Sequence, residues 1–207
     1  LEAGRSDDPV LKAVVHTVRA FDIDTEAFHR FLRSMTMDLT VESYDTWDDL
    51  LVYMDGSAAV IGEMMLPILE PTDYDTALPH ARDLGNAFQL TNFLRDIDED
   101  LDRGRQYIPR EDSERFGVDL TQRSVTPEFV GLMRFEIDRC RELYRSAQIG
   151  IDMLPDRSAK CVGAAHALYG RILDKIEAQD YDVFTSRASV STAEKATMVA
   201  KLLSPFS

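Results

Sequence analysis

Four side chains able to engage a metal ion or a phosphate recur along one stretch of the chain: Gln89, Asn92, Asp96 and Asp100, within GNAFQLTNFLRDIDEDLDRGRQYIP. In an α-helix they fall within about 80° of arc, because residues three and four apart share a face. Ala87, Leu90, Leu94, Ile97 and Leu101 fall opposite, giving the same helix an apolar side to bury. Carboxylates at i and i+4 repel unless something positive occupies the gap. Magnesium suits that gap, because it is a hard cation that binds through one or two carboxylates plus substrate phosphates. Asn92 would add a neutral oxygen one turn earlier, and Gln89 would orient a water or a phosphate. The rival reading is a solvated acidic helix end, since an Asp-x-x-x-Asp spacing is common. Asp98 is expected on the far, solvated side and Glu99 beside the ligands.

Arg95, Arg103, Arg105 and Tyr107 place hydrogen-bond donors beside these acids. Arg103 and Arg105 flank Gly104, where the backbone can turn and let a phosphate approach closely. Cations next to paired acids suit a metal-bridged diphosphate better than a purely structural metal. Surface ion pairs among the same residues are the competing reading.

Holding such a stripe in place requires a long helix and partners for its apolar side. The periodicity predicts a helix from about Thr76 to Leu101, about 39 Å at 1.5 Å per residue, with Gly104 and Pro109 marking its exit. Upstream, Asp8-Pro9 introduces LKAVVHTVRAF, and Asp24 caps TEAFHRFLRSMTMDL. Thr46 and Asp49 resemble a capping box at the start of WDDLLVYMDGSAAVIGEMMLPIL, with Pro67 at its end. Downstream, EDSERFGVDLTQRSVTP reads as short helix and loop broken at Gly117, and Pro127 and Pro155 introduce two long helices. A last helix is expected from about Thr192 to Leu203. No alternating strand series or internal repeat is visible, so the fold class is all-α, one helical domain over residues 1–207.

Gly56 and Gly62 each cost roughly 1 kcal/mol relative to Ala inside a helix, so a local reason is needed. One is close helix packing. The other is an opening for a long apolar ligand, to which Gly56, Ser57 and Val60 would contribute. Tyr53, one turn earlier, would place its hydroxyl at the polar mouth of such a groove, and Tyr169 could meet the same cavity. Both are equally readable as core or boundary tyrosines.

The chain has 207 residues and a net charge of -14, which argues against nucleic-acid binding through bulk charge. Cys140 and Cys161 are isolated, without metal-ligand or paired-redox spacing, which points to a reducing compartment. No run of 18 or more consecutive apolar residues occurs and no secretory signal heads the chain. A cytoplasmic protein, soluble or peripheral at a membrane, is expected.

Taken together, these residues closely resemble the phytoene synthase branch of the squalene and phytoene synthase family. The resemblance runs from MDLTVESYDTWDDLLVYMDGSAAVIG through FQLTNFLRDIDEDLDRGRQYIP to FEIDRCRELY, ALYGRILDKIEAQDYDVF and the C-terminus. The NFLRDIDED-to-RGRQYIP block is its most specific part. It implies an isoprenoid synthase-like helical bundle that depends on Mg²⁺, with Mn²⁺ as a substitute. The implied reaction joins two geranylgeranyl diphosphates head to head, giving phytoene through a cyclopropylcarbinyl diphosphate. By resemblance, Asn92, Asp96 and Asp100 are the metal ligands, and Gln89, Arg95, Arg103 and Arg105 surround the diphosphate. Gly56, Ser57 and Val60 would meet the prenyl tail, and Tyr53, Tyr169 and Arg95 would act in catalysis. Peripheral membrane contact is implied by the hydrocarbon substrate and product, whereas the oligomeric state stays open.

Family members also carry a first aspartate-rich motif on an N-terminal helix facing the second. Residues 1–40 contain no such block, since Asp7, Asp8 and Asp38 stand in other contexts. With Leu1 at its start, the chain is expected to be part of a longer phytoene synthase, lacking its N-terminal helices and having little condensation activity alone. Two alternatives are a squalene-type or hydroxysqualene-type synthase using farnesyl diphosphate and a noncatalytic truncated homologue.

Overall fold

The computed structural model describes residues 4–203. Its helices begin where the capping residues fall. Helix α1 (Pro9–Ala20) starts at Asp8, whose carboxylate accepts from the Val10 and Leu11 N–H groups at 2.9 and 3.0 Å. Helix α2 (Thr25–Met37) is capped by Asp24. Helix α3 (Trp47–Met54) opens on the expected capping box: Asp49 N–H donates to Thr46 Oγ1, and Thr46 N–H to Asp49 Oδ2, both at 3.1 Å. The shorter Asp performs the usual task of Glu.

Helix α3 continues through a π-helical turn, Asp55–Ala59, into α4 (Val60–Leu69). The turn is held by ion pairs that no local signal announces. Arg30 of α2 donates to both Asp55 oxygens at 2.7 and 2.8 Å and to Glu63 at 3.0 Å, and Arg82 reaches Asp55 at 2.5 Å and Glu63 at 2.7 Å. Hydrogen bonding from Arg30 holds the Asp55 carboxyl below the usual range despite partial burial.

Helix α5 (Tyr74–Arg95) and the short α6 (Ile97–Asp102) replace the single helix predicted over Thr76–Leu101. Asp73 caps α5 two residues earlier than expected, and the break falls at Asp96, with φ -106° and ψ 17°. Asp96 N–H still donates to the Asn92 carbonyl and Asp100 N–H to the Asp96 carbonyl, both at 2.9 Å. The four-residue spacing of the acidic stripe therefore survives the break.

Helices α7 (Arg110–Phe116), α8 (Pro127–Ile151), α9 (Asp156–Ala178) and α10 (Thr192–Leu203) complete the bundle, and Gly117 ends α7 in the left-handed conformation. Among the described residues the extended structure is one isolated bridge, Ser43 to Gln106. Beside it, Gln106, Arg110 and Glu111 donate backbone N–H groups to the carbonyls of Glu42, Tyr44 and Asp45. The RGRQYIP segment is thereby fastened to the loop before α3.

Helix α5 is central, packed along α8 and against α4. Its expected apolar side is buried: Ala87, Leu90 and Leu94 are fully enclosed against Phe129, Leu132, Met133 and Ile137 of α8. Each such Leu, Ile or Phe stabilises the fold by about 1.5–3 kcal/mol. The stretch Trp47–Leu69 is long and apolar enough to cross a membrane by length and composition. Leu50, Tyr53, Met54, Val60 and Leu66 of that stretch are buried in the bundle, while Val52, Ile61 and Met65 are exposed.

The helix glycines serve close packing. A Cβ on Gly56 would lie 2.2 Å from the Arg30 carbonyl oxygen, and one on Gly62 would lie 2.0 Å from that of Ala81. Backbone cannot yield like a flexible side chain, so Gly62→Ala should lower stability by about 1–3 kcal/mol in urea unfolding. Gly170 of α9 has nothing within 4 Å of such an atom, so Gly170→Ala should raise stability by about 0.5–1 kcal/mol in the same assay.

Beneath Trp47, α7 and α8 enclose two acids with one guanidinium. Arg139 donates to Asp112 at 2.8 Å and to both Glu136 oxygens at 2.8 and 2.9 Å, and Glu136 is fully buried. Burial, opposed by Arg139 and reinforced by Asp112, pushes the Glu136 carboxyl up to about 8. The folded state therefore holds a proton that the unfolded chain releases above about pH 4.3. Stability should be greatest below that pH for this group and fall as pH rises through 8, by at most about 1.4 kcal/mol per pH unit. Unfolding titrations should show the slope, and Glu136→Gln should flatten it.

Candidate active site

The break between α5 and α6 sets Asp96 between two guanidiniums. Arg95 donates to it at 2.6 and 2.7 Å from the preceding position, and Arg187, on the segment between α9 and α10, donates at 2.7 and 3.1 Å. Burial opposes ionisation of this carboxyl, but the two arginines outweigh it and hold it below the usual range. Arg187 Nε also lies 3.3 Å from Glu99, the acid expected beside the ligands. Asp98 points away and pairs with Arg123 at 2.8 Å.

Asp100, one turn on, is less well compensated. Its nearest cation is Arg103 at 3.5 Å, itself largely exposed. Burial first, and then the Asp96 charge, push its carboxyl up to about 6, against the pull of Arg103 and Arg105. Gln89 and Asn92 lie on successive turns upstream, both half-buried. Asn92, Asp96 and Asp100 thus stand on successive turns as an amide and two carboxylates, of which Asp100 is the one left short of positive charge. This donor set fits a magnesium ion whose remaining positions are taken by phosphate and water. Among the described residues no group of three His, Cys, Asp or Glu side chains gathers tightly enough to hold a metal by itself.

Arg105 follows Gly104, which has the positive φ of 73° that such a turn needs. Its guanidinium turns back toward α2, donating to Asp38 Oδ1 at 3.0 Å, the Asp38 carbonyl at 2.6 Å and the Tyr107 hydroxyl at 2.9 Å. Tyr53 is 3% exposed within a group of rings: Tyr44 at 5.5 Å, Tyr107 at 5.7 Å and Phe93 at 6.4 Å between centroids. Phe93 stacks on Tyr107 at 4.0 Å. Burial raises the Tyr53 hydroxyl far above its ordinary value, so it stays protonated. Tyr169 of α9 is half-buried and meets Phe88 at 4.5 Å.

An apolar cavity of about 260 Å³ lies between α4, α5, α8 and α9. Its lining on α5 runs from Ala77 to Phe88, so it leads away from the acids along the same helix. On α4 the lining begins at Ile61 and Gly62, one residue beyond the predicted Gly56, Ser57 and Val60. Gly56 faces α2, Val60 is fully enclosed, and Ser57 Oγ is buried with no hydrogen-bond partner among the described residues.

Of the predicted residues, the structure gathers Arg95, Asp96, Asp100 and Arg103 in one charged cluster, and Tyr53 and Arg105 in an adjoining aromatic one. Arg187 and Asp38 are the additions. Arg187 acts across 91 residues and sits in a linker without periodicity, so no local signal could reveal it. Asp38, whose sequence context excludes it from an aspartate-rich motif, is the anchor of Arg105.

Comparison with known proteins gives the family and the fold. The family model described as squalene/phytoene synthase matches residues 2–194. Phytoene synthase of Arthrospira platensis is 38% identical, the alignment covering 93% of this chain and 67% of that protein. Chloroplastic phytoene synthase 3 of Zea mays is also 38% identical, over 96% of this chain and 49% of its own length. The chain thus spans between half and about two thirds of these relatives. A dehydrosqualene synthase solved with a ligand superposes with a TM-score of 0.90 at 27% identity, covering 97% of this chain and 72% of that one. A squalene synthase from Alicyclobacillus acidocaldarius gives 0.82 at 30% identity, covering 87% and 69%.

The Asp38 contact carries its own test. Asp38→Ala removes the carboxylate that accepts from Arg105, leaving that guanidinium only the residue-38 carbonyl and the Tyr107 hydroxyl, and should cost about 1–2 kcal/mol in urea unfolding. It should also weaken the near-ultraviolet dichroism of the tyrosine group, whereas Asp7→Ala should change neither.

Proposed function

Because the chain belongs to the squalene/phytoene synthase family, and within it to the phytoene synthase branch, we propose that its protein joins two geranylgeranyl diphosphates head to head. The product is phytoene, formed through a cyclopropylcarbinyl diphosphate. The observation that carries this reading is the spacing of Asn92, Asp96 and Asp100 beside four arginines, where the helix that lines an apolar cavity ends and the next begins.

Asn92, Asp96 and Asp100 would hold Mg²⁺, which when bound supplies the positive charge that offsets a departing diphosphate. Arg95 and Arg187 already converge on this point, and Arg103 stands exposed beside it, so guanidiniums can pass from carboxylate to phosphate oxygens. Gln89 would orient the diphosphate or a water beside it. The rings of Tyr53, Tyr44, Tyr107 and Phe93 would lend negative π density to an allylic cation brought beside their group. Tyr53 contributes as a neutral hydroxyl, and Tyr169 with Phe88 stands where the cavity begins. The cavity walls hold the hydrocarbon and exclude water, which would otherwise quench the cation.

The long hydrocarbon chains of substrate and product suit peripheral contact with a membrane, and the exposed Val52, Ile61 and Met65 provide an apolar surface for it. A cytoplasmic site of action follows the same reading.

A non-ionising thiolo analogue of geranylgeranyl diphosphate, with Mg²⁺, tests binding. At 100 times its Kd it should add about 2.7 kcal/mol to stability, about 5–10 °C in Tm for a chain of this size. Asp96→Asn and Asp100→Asn should each abolish the Mg²⁺-dependent part. With the natural diphosphates, mass spectrometry should find a 40-carbon hydrocarbon from the protein carrying both aspartate-rich motifs, little from residues 1–207 alone, and at least about 100-fold less from Asp96→Ala. A 30-carbon product would instead favour farnesyl diphosphate as substrate, and no product would favour a noncatalytic role.

A further inference from the structure

The cavity lining contains one imidazole. His80 of α5 stands among Leu66, Ala77, Ala81, Gly150 and Leu154. Its ring is fixed from behind: Nδ1 lies 2.8 Å from Ser146 Oγ, and that hydroxyl donates to Asp83 at 2.5 Å. Because the single Ser146 proton goes to Asp83, the Nδ1 of His80 must be the donor in its own contact. Helix α8 makes room for the residue by having no side chain opposite, since a Cβ on Gly150 would stand 2.6 Å from the His80 Cβ. The ring is therefore held at a set depth by α8.

That depth corresponds to a tail length. His80 precedes Asn92 by twelve positions, about 18 Å along a helix rising 1.5 Å per residue. Ala77, the last residue of α5 in the lining, is about 22 Å from Asn92 on the same scale. With carbon–carbon bonds of about 1.5 Å, an extended prenyl chain advances about 5 Å per five-carbon unit, so three units span about 15 Å and four about 20 Å. A three-unit tail anchored at the acids ends before His80. A four-unit tail ends beside the ring, between His80 and Ala77, whereas a fifth unit would carry the tail to about 25 Å, beyond the end of the lining.

We propose that His80, held by Ser146 and accommodated by Gly150, is a specificity-determining residue that limits the accepted tail to four isoprene units. It rests on the prenyl diphosphate reading above and assigns to one side chain a choice that the charged end of the site cannot make. The acids and arginines meet only the diphosphate, which is the same for every tail.

The experiment measures binding of thiolo analogues of farnesyl, geranylgeranyl and geranylfarnesyl diphosphate, with Mg²⁺, by calorimetry. The wild-type protein should prefer the 20-carbon analogue. His80→Ala should improve the affinity for the 25-carbon analogue relative to the 20-carbon one by about 10-fold or more, the scale on which a pocket resolves small changes in hydrocarbon volume. His80→Trp should weaken the 20-carbon analogue by about 10-fold and leave the 15-carbon one within about 3-fold. Gly150→Ala, which leaves the imidazole intact but drives it toward the cavity, should shift preference the same way as His80→Trp. An unchanged ratio of the three affinities in all variants overturns the gauge while leaving the proposed function standing. Failure of the wild-type protein to bind any of the three overturns both.

Discussion

The arrangement depends on how carboxylates concentrated at one helix junction are neutralised. Asp96, Glu99 and Asp100 lie within five positions of one another, and the two aspartates are largely buried. Like charges so placed destabilise the fold unless cations reach them. The chain supplies two of the cations locally, Arg95 from the end of α5 and Arg103 from the end of α6, and a third, Arg187, from the distant linker after α9. Asp96 is fully compensated and ionises readily, whereas Asp100 is not and its carboxyl is pushed up to about 6. A divalent cation would remove that residual penalty.

The break at Asp96 is intelligible in the same terms. A helix continuing through residue 101 would place this acidic run near its C-terminus, where the backbone carries partial negative charge. Ending α5 at Arg95 puts a cation in its last turn, and starting α6 at Ile97 puts Asp98, Glu99 and Asp100 in a first turn. Both changes favour the charges present. Periodicity alone could not locate this break, because the apolar positions Leu94, Ile97 and Leu101 keep helical spacing straight across it.

Much of the scaffold was legible locally. Asp8, Asp24, Thr46 with Asp49, Pro127 and Gly117 mark helix ends within a residue or two because capping depends on a few neighbours. The apolar side of α5 was legible for the same reason, as a face repeating every three to four residues. What could not be read depends on partners far along the chain. The π-helical turn is tied to α2 and α5 through Arg30 and Arg82, Arg105 is anchored on Asp38, and Arg187 reaches Asp96. Gly56 and Gly62 illustrate the limit well: composition showed that a reason was required, and only the neighbouring carbonyls show which one.

Helix α5 links the two halves of the chemistry. Its C-terminal turns carry Gln89, Asn92 and Asp96, while its earlier turns from Ala77 to Phe88 line an apolar cavity. A ligand with a charged head and a hydrocarbon tail can therefore be read along a single rigid element, the head by charge and the tail by volume. Rigidity matters because the separation of the two regions is then a fixed length, set by the helical rise. Close packing reinforces it: α4 approaches α5 at Gly62, and α8 approaches at Gly150, so closely that neither position has room for a side chain. Selectivity for the head and selectivity for the tail are thus separable properties of one helix, and a change at its N-terminal end can alter the second without touching the first.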